Sequence, residues 1–558
     1  MRVVHSLVAA AALGGAAGAP AQAPDMVLLD GKIVTVDAQS SLHEALAIRE
    51  GKVLALGSTA DIRRLAGPAT RIVDLGGRTV IPGLIDSHLH AIRAALSFST
   101  EVNWIGARSL PDALGRIGAA AKRLPPGAWL IVAGGWNELQ FAERRRPTQA
   151  ELEAAAPGNP VYVQLGYGWV VMTDDGFKKL GIVRDADLPA GGRLERDGER
   201  FTGAISGGQA AIIALFDRLP KPTFAEQVEG TQAFFRELNR LGLTGVVDPG
   251  GNNLLAADYR ALFDVWQRNE LTVRVAYSLN GQTAGEELEE LQSLTALLPM
   301  GFGDERLHFN GLGERITHAM NNNPSPTDED KQRYYEIVRW AAERGMTITM
   351  HWGPDSTVQH LLDIFERVNR EVPIAPLRWS IAHLNDASEA SLRRMAALGV
   401  GWTVQDAMYF GGEQLVRTQG ADAARRIPPV LTGERLGVRI GAGTDAHRVA
   451  SYNPFTALQW FLDGKTVAGT PIRGPEETPD RLTALRFYTQ GSAWFSFDDD
   501  VRGSLEVGKL ADLAVLSTDY LSVPTEEIGR IESLLTLLGG RVVYAAGEFA
   551  PLDHRVVR

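Results

Sequence analysis

Four histidines and an aspartate stand where apolar runs end: His88 and His90 after Val80–Ile85, His351 after Met346–Met350, His383 after Trp379–Ala382 and Asp445 after Val438–Thr444. The whole chain holds eleven histidines, so four at such places form a pattern. Imidazole nitrogens with a carboxylate are ligands for Zn²⁺ or a similar first-row ion. Such an ion lowers the pKa of a water it holds from about 15.7 to about 7 and polarises a carbonyl. A carboxylate at its edge can take the proton of that water and hand it to a leaving amine. The His88-Leu89-His90 pair alone is weaker. Residues two apart on a strand point to one side, but a half-buried strand with two solvated imidazoles has the same spacing. The other ligands decide between the two.

Something must bring these residues together. Between residues 79 and 500, short apolar runs alternate with amphipathic stretches, the sign of βα units and a parallel sheet. Expected strands are Val80–His90, Gly245–Asp248, Val273–Leu279, Arg306–Gly311, Met346–His351, Trp379–His383, Gly399–Gln405 and Val438–Asp445. Helices are expected over Glu226–Leu241, Asp328–Arg344, Val358–Arg370 and Ala387–Leu398. The fold class is therefore α/β, and the strand count suits a (β/α)₈ TIM-type barrel, whose C-terminal strand ends share one rim. A doubly wound sheet competes, but no Gly-x-Gly-x-x-Gly follows a strand. Residues about 105–235 are too long for a simple connection and read as an insertion over the barrel mouth. Both ends are strand-and-turn territory. Asp30-Gly31 and Glu50-Gly51 read as hairpin turns, and residues 22–78 and 501–558 are expected to form one β layer.

Charge and composition narrow the partners. A net charge of -11 with no long Lys/Arg cluster argues against nucleic acid or an anionic membrane surface. Without cysteine, disulfides and thiolate chemistry are excluded. Residues 1–21 read as a signal peptide: Arg2, an apolar stretch, then Ala19-Pro20-Ala21 before Gln22. The expectation is an exported protein, periplasmic or secreted, with no membrane span. Homo-oligomerisation is left open.

The wording Pro82-Gly83-Leu84-Ile85-Asp86-Ser87-His88-Leu89-His90, followed by later strand-end histidines and Asp445, resembles the amidohydrolase superfamily of metal-dependent hydrolases. Gly134-Gly135-Trp136-Asn137-Glu138, Pro147-Thr148 and Leu482-Thr483 before Tyr488-Thr489 resemble its amidohydrolase-3 branch, which includes a formamide deformylase. Gly503-Ser504-Leu505-Glu506-Val507-Gly508-Lys509 resembles part of the small β domain such enzymes carry. The resemblance implies a small β-sandwich built from both termini. It implies that His88 and His90 bind the more buried metal, and that His351 and His383 bind a second ion or divide between metal and substrate. Asp445 would touch metal and shuttle the proton, with His383 as the other catalytic residue. Zinc is the expected ion, one or two.

Three departures from that pattern stand out. The fourth-strand lysine of many relatives is missing, and Glu314 is the carboxylate that could replace it, a single-metal site being the alternative. Leu165-Gly166-Tyr167-Gly168-Trp169 lacks the usual histidine, so Tyr167 or Trp169 would shape the pocket with Trp136 and Asn137. Asp445-Ala446-His447-Arg448 replaces the Asp-Trp-Pro of many relatives, and His447 and Arg448 could face substrate, an ordinary loop role being the alternative. The expected reaction is hydrolysis of an amide-type C–N bond in a small molecule. An ester, lactone or phosphoester substrate, or a non-catalytic binding or regulatory relative, stays open.

Overall fold

A computed structural model describes residues 23–251 and 253–553, so the expected leader at 1–21 lies outside the described residues. The apolar runs of the middle segment form two four-stranded, all-parallel sheets. The first pairs β1 (Leu84–Asp86), β2 (Leu243–Asp248), β3 (Arg274–Leu279) and β4 (Leu307–Leu312) in that order. The second pairs β5 (Thr349–Trp352), β6 (Ser380–His383), β7 (Gly401–Gln405) and β8 (Ile440–Gly443). Their residues are almost all buried, as parallel strands covered on both faces require. Leu312 bridges in parallel to Ile348, joining β4 to the chain entering β5. On the opposite side Ser87 N donates to Ala442 O at 2.9 Å and Asp445 N to His88 O at 2.8 Å, joining β1 to β8. The α/β class is as expected.

Helices cover these strands for readable reasons. Phe224–Arg240 and Asp328–Glu343 each begin with a capping box, Thr223 with Glu226 and Thr327 with Asp330. Glu389–Leu398 starts at the Ser388 cap and stops at Gly399, whose φ of 69° suits glycine. It buries Leu392, Met395 and Leu398, three or so residues apart along one face.

The segment between β1 and β2 carries its own five-stranded sheet. Two of its strands, Val161–Leu165 and Trp169–Met172, pair antiparallel. Side chains alternate between two cores: Val161, Val163 and Val171 enter one, Tyr162, Val170 and Met172 the other. That period of two is the mark of a strand buried on both sides.

Two expectations for the amino-terminal region need correction. Asp30-Gly31 is not a hairpin turn. Met26–Leu29 pairs with Ala45–Arg49 and Arg71–Asp74, whereas Lys32–Val34 joins a different sheet beside Leu42–His43 and Thr79–Pro82. Leu28 and Val27 enter separate cores, so this strand is covered on both faces within its own sheet and the chain crosses layers at Asp30. The Glu50-Gly51 hairpin does form.

Val80–Ile85 is likewise not one strand. Thr79–Pro82 pairs antiparallel with Leu513–Leu516 of the carboxyl-terminal segment, and β1 begins only after Gly83. A Cβ on Gly83 would lie 2.2 Å from Thr244 Oγ1, so the chain turns there against β2. The terminal layers are held to the parallel sheets by a buried two-pronged ion pair, Arg274 to Asp512 at 2.7 and 3.0 Å.

Candidate metal centre

Six side chains converge at the C-terminal ends of the parallel strands. Ligand atoms of His88, His90 and Glu314 lie within 4.8 Å of one another, as do those of His88, His383 and Asp445, and those of Glu314, His351 and His383. Glu314, two residues past β4, belongs to two of the three groups, as do His88 and His383, and it approaches all four imidazoles. Its Oε2 lies 3.2 Å from His88 Nε2, 3.2 Å from His351 Nδ1 and 3.7 Å from His383 Nε2, while Oε1 lies 3.4 Å from His90 Nε2. Asp445 Oδ1 lies 3.0 Å from His90 Nε2 and 3.7 Å from His88 Nε2.

The donor set fits a divalent cation. Among the described residues, fully buried His88 makes no well-aligned hydrogen bond at either ring nitrogen and His383 makes none at Nε2, although Glu314 Oε2 stands 3.2 and 3.7 Å from their Nε2 atoms. Buried polar atoms left this way are costly unless something accepts their lone pairs. His90 Nδ1 sits 2.6 Å from Gly250 O, so it carries the proton and leaves Nε2 free to ligate. Burial alone would raise the Glu314 carboxyl, but His90 and the other imidazoles outweigh it and hold the group well below its usual value. Asp445 is lowered in the same way, by His90 above all. Carboxylates held ionised beside imidazoles are the ligand types a Zn²⁺ site uses.

The backbone is specified as tightly as the side chains. His383 and Asp445 hold left-handed backbone, φ 70° and 56°, which costs on the order of 1–3 kcal/mol for such residues. Gln405 Oε1 accepts from His383 N at 3.0 Å, and His88 O accepts from Asp445 N. Below them Asp86 ties β1 to β8, accepting from His88 N at 3.0 Å and Thr444 Oγ1 at 2.8 Å. Burial pushes its carboxyl up to about 7.

The residues expected to bind substrate are not all gathered here. Trp136 is buried in the insertion core against Trp104 and Phe141, its indole donating to Gln164 O. Trp169 lies in that core too, beneath Arg146 and 3.3 Å from Glu195. Asn137 caps a short helical turn. Tyr167 lines a cavity of about 620 Å³. His447 Nε2 and Arg448 Nη1 both reach Glu101, each at 3.1 Å. Burial would raise Glu101, but Arg448 and His447 bring it down to about 2. Glu101 and Arg93 went unread in the sequence; only the spacing of Arg93, three residues past His90 on the helix Ala91–Ser97, marked it.

The chain is similar to known proteins along most of its length. The family profile described as "Amidohydrolase family" matches residues 71–544. N-substituted formamide deformylase of Arthrobacter pascens is 25% identical over 550 residues, covering 94% of this chain and 99% of that protein. A metal-dependent hydrolase of Pyrococcus horikoshii superposes with a TM-score of 0.64 at 21% identity, over 90% of this chain and 99% of that one. An adenosine deaminase from Xanthomonas campestris with bound zinc gives 0.56 at 15%, over 96% and 97%.

Proposed function

Because the chain belongs to the amidohydrolase family, we propose that it is a metal-dependent hydrolase cleaving an amide-type C–N bond of a small molecule. The observation that carries this reading is the convergence of four imidazoles on Glu314 and Asp445 at the ends of parallel strands. We read those strands as a (β/α)₈ barrel, on the strength of the bonds that join the two sheets on both sides. The terminal layers, which share one core, are read as a β-sandwich.

His88, His90, His351, His383, Glu314 and Asp445 would hold the metal, and zinc in a relative of similar fold supports that ion. When bound, it supplies Lewis acidity that acidifies a water and polarises a carbonyl. Glu314, with one oxygen toward His90 and the other toward His88, His351 and His383, is suited to serve two ions in place of a lysine. His88 and His90 form the buried side; His351 and Asp445 are the more open members. Asp445 is ionised at neutral pH. Its role is to accept the proton of the attacking water and deliver it to the leaving nitrogen. His383, beside it, orients the carbonyl. A complete ligand set counts against a non-catalytic relative. A formamide deformylase among the relatives supports an amide over an ester.

The test is metal analysis of the purified protein with a screen of formamides, N-acyl amino acids, cyclic amides and aryl esters. Stoichiometric metal and amide turnover lost on chelation are expected. No bound metal and no sensitivity to chelation would overturn the reading, and aryl esters turned over with amides inert would overturn its amide part. We also propose export directed by residues 1–21, for which a mature protein beginning at Gln22 in a periplasmic or culture fraction is the test.

A further inference from the structure

The cavity that Tyr167 lines has three cations, Arg93, Lys221 and Arg448, against two carboxylates, Asp217 and Asp258. All but one of these charges are occupied. Lys221 pairs with Asp217 at 2.6 Å, Arg448 with Glu101, and Asp258 accepts from Leu255 N at 2.7 Å. Arg93 makes no hydrogen bond or ion pair among the described residues, and its Nε is buried without a partner. The carboxylate its charge acts on, Asp248, spends its two oxygens on the amides of Gly250 and Ile92, both at 2.7 Å.

Arg93 also lies near His90 of the candidate metal centre, on the Nδ1 side of its ring. Gly251 lies between them: a Cβ there would come 3.3 Å from Arg93 Nη1 and 3.4 Å from His90 Nδ1. A guanidinium presents a planar fork that matches a carboxylate with two parallel hydrogen bonds, and leaving it half-desolvated without one is unfavourable. Leu96, Phe216 and Leu254 supply an apolar wall to the same cavity.

From this we infer that Arg93 is a specificity-determining residue that binds an anionic carboxylate of the substrate, a few bonds from the scissile amide, with an apolar substituent in the cavity. The inference rests on the hydrolase reading for the place of the scissile bond. One unpaired cation calls for a monoanion.

The experiment is calorimetric binding of N-formylphenylalanine and of its primary amide, in both enantiomers, to the full-length zinc-loaded protein. The carboxylate is expected to bind about 10–100-fold more tightly than the amide, the worth of a charge-assisted bidentate contact. Arg93→Met is expected to bring that ratio near unity, and Arg93→Lys to keep part of it, which separates lost charge from lost fold. Equal affinity in the wild type, an unchanged ratio in Arg93→Met, or no binding of either probe would overturn the inference. Affinity is the readout for Arg93, and turnover of the two probes is followed separately. A protein that discriminates by charge yet hydrolyses nothing would sink the hydrolase reading alone, and one that hydrolyses both probes without preference would sink this inference alone.

Discussion

Glu314 Oε2 lies 3.2 Å from His351 Nδ1, although one residue follows β4 and the other sits in β5. That contact closes the ring of candidate ligands at the junction of the two parallel sheets, where Leu312 bridges to Ile348 and His351 N donates to Glu314 O at 3.0 Å. The carboxylate therefore reaches every imidazole of the cluster from one backbone position.

Glu314→Gln keeps the shape and removes the charge. Metal affinity should fall by at least about 10–100-fold, the cost of losing even an outer partner of a ligand, and activity should fall with it. Metal content after gel filtration, read beside turnover at saturating zinc, checks this. Full occupancy in the variant would show that the four histidines and Asp445 suffice.

Asp445→Asn separates binding from proton transfer. If Asp445 shuttles the proton, turnover should drop about 10²–10⁴-fold, while the histidines and Glu314 still retain metal. The acid limb of the pH–rate profile, which reports the shuttle's ionisation, should disappear too. Retained turnover would refute the assigned role.

Much of the site was legible because histidine at the end of an apolar run is a local signal. His88, His90, His351, His383 and Asp445 all fall where a parallel arrangement gathers strand ends, and pattern alone locates them. Glu314 was legible only as the first carboxylate after the fourth strand. What failed was lateral. Met26–Leu29 and Lys32–Val34 carry a strong hairpin signal at Asp30-Gly31, yet each found other partners, Ala45–Arg49 and Arg71–Asp74 for the first and Leu42–His43 and Thr79–Pro82 for the second, because strands covered on both faces need neighbours the turn cannot supply. Trp136 and Trp169 looked like pocket residues, but an aromatic side chain carries the same sequence signature in a core. Glu101 has no local signal at all, since its partners His447 and Arg448 lie more than 340 residues away.

That triad predicts a pH dependence. Glu101 is lowered from 4.5 to about 2, so the native state binds its proton less readily than the unfolded state. Its stabilising contribution is then fully present above about 4.5 and is lost as pH falls toward about 2. Glu101→Ala should cost about 3–5 kcal/mol at pH 7, the usual cost of breaking a buried charged pair. Thermal unfolding of the wild type and the variant, both in chelator, should differ most near neutrality and converge below pH 3. A constant gap across that range would mean Glu101 acts through packing and not through charge.

Gly313 tests how the backbone aims Glu314. A Cβ there would lie 1.9 Å from Pro249 O and 2.0 Å from Asn280 Oδ1, so Gly313→Ala must displace the loop after β2. Overpacking of this kind costs about 1–3 kcal/mol. The loop cannot move alone: Pro249 O accepts from Glu314 N at 3.1 Å, and the next residue's carbonyl, Gly250 O, takes the His90 Nδ1 proton. One added methyl should therefore shift two ligands at once and weaken metal binding in a protein that still folds. Gly115→Ala is the control, since nothing lies within 4 Å of that position in the helix Leu110–Ala121. There alanine should stabilise by up to about 1 kcal/mol and leave metal content untouched. If Gly313→Ala bound zinc as tightly as the wild type, the loop after β2 would not be what sets His90 and Glu314 in register.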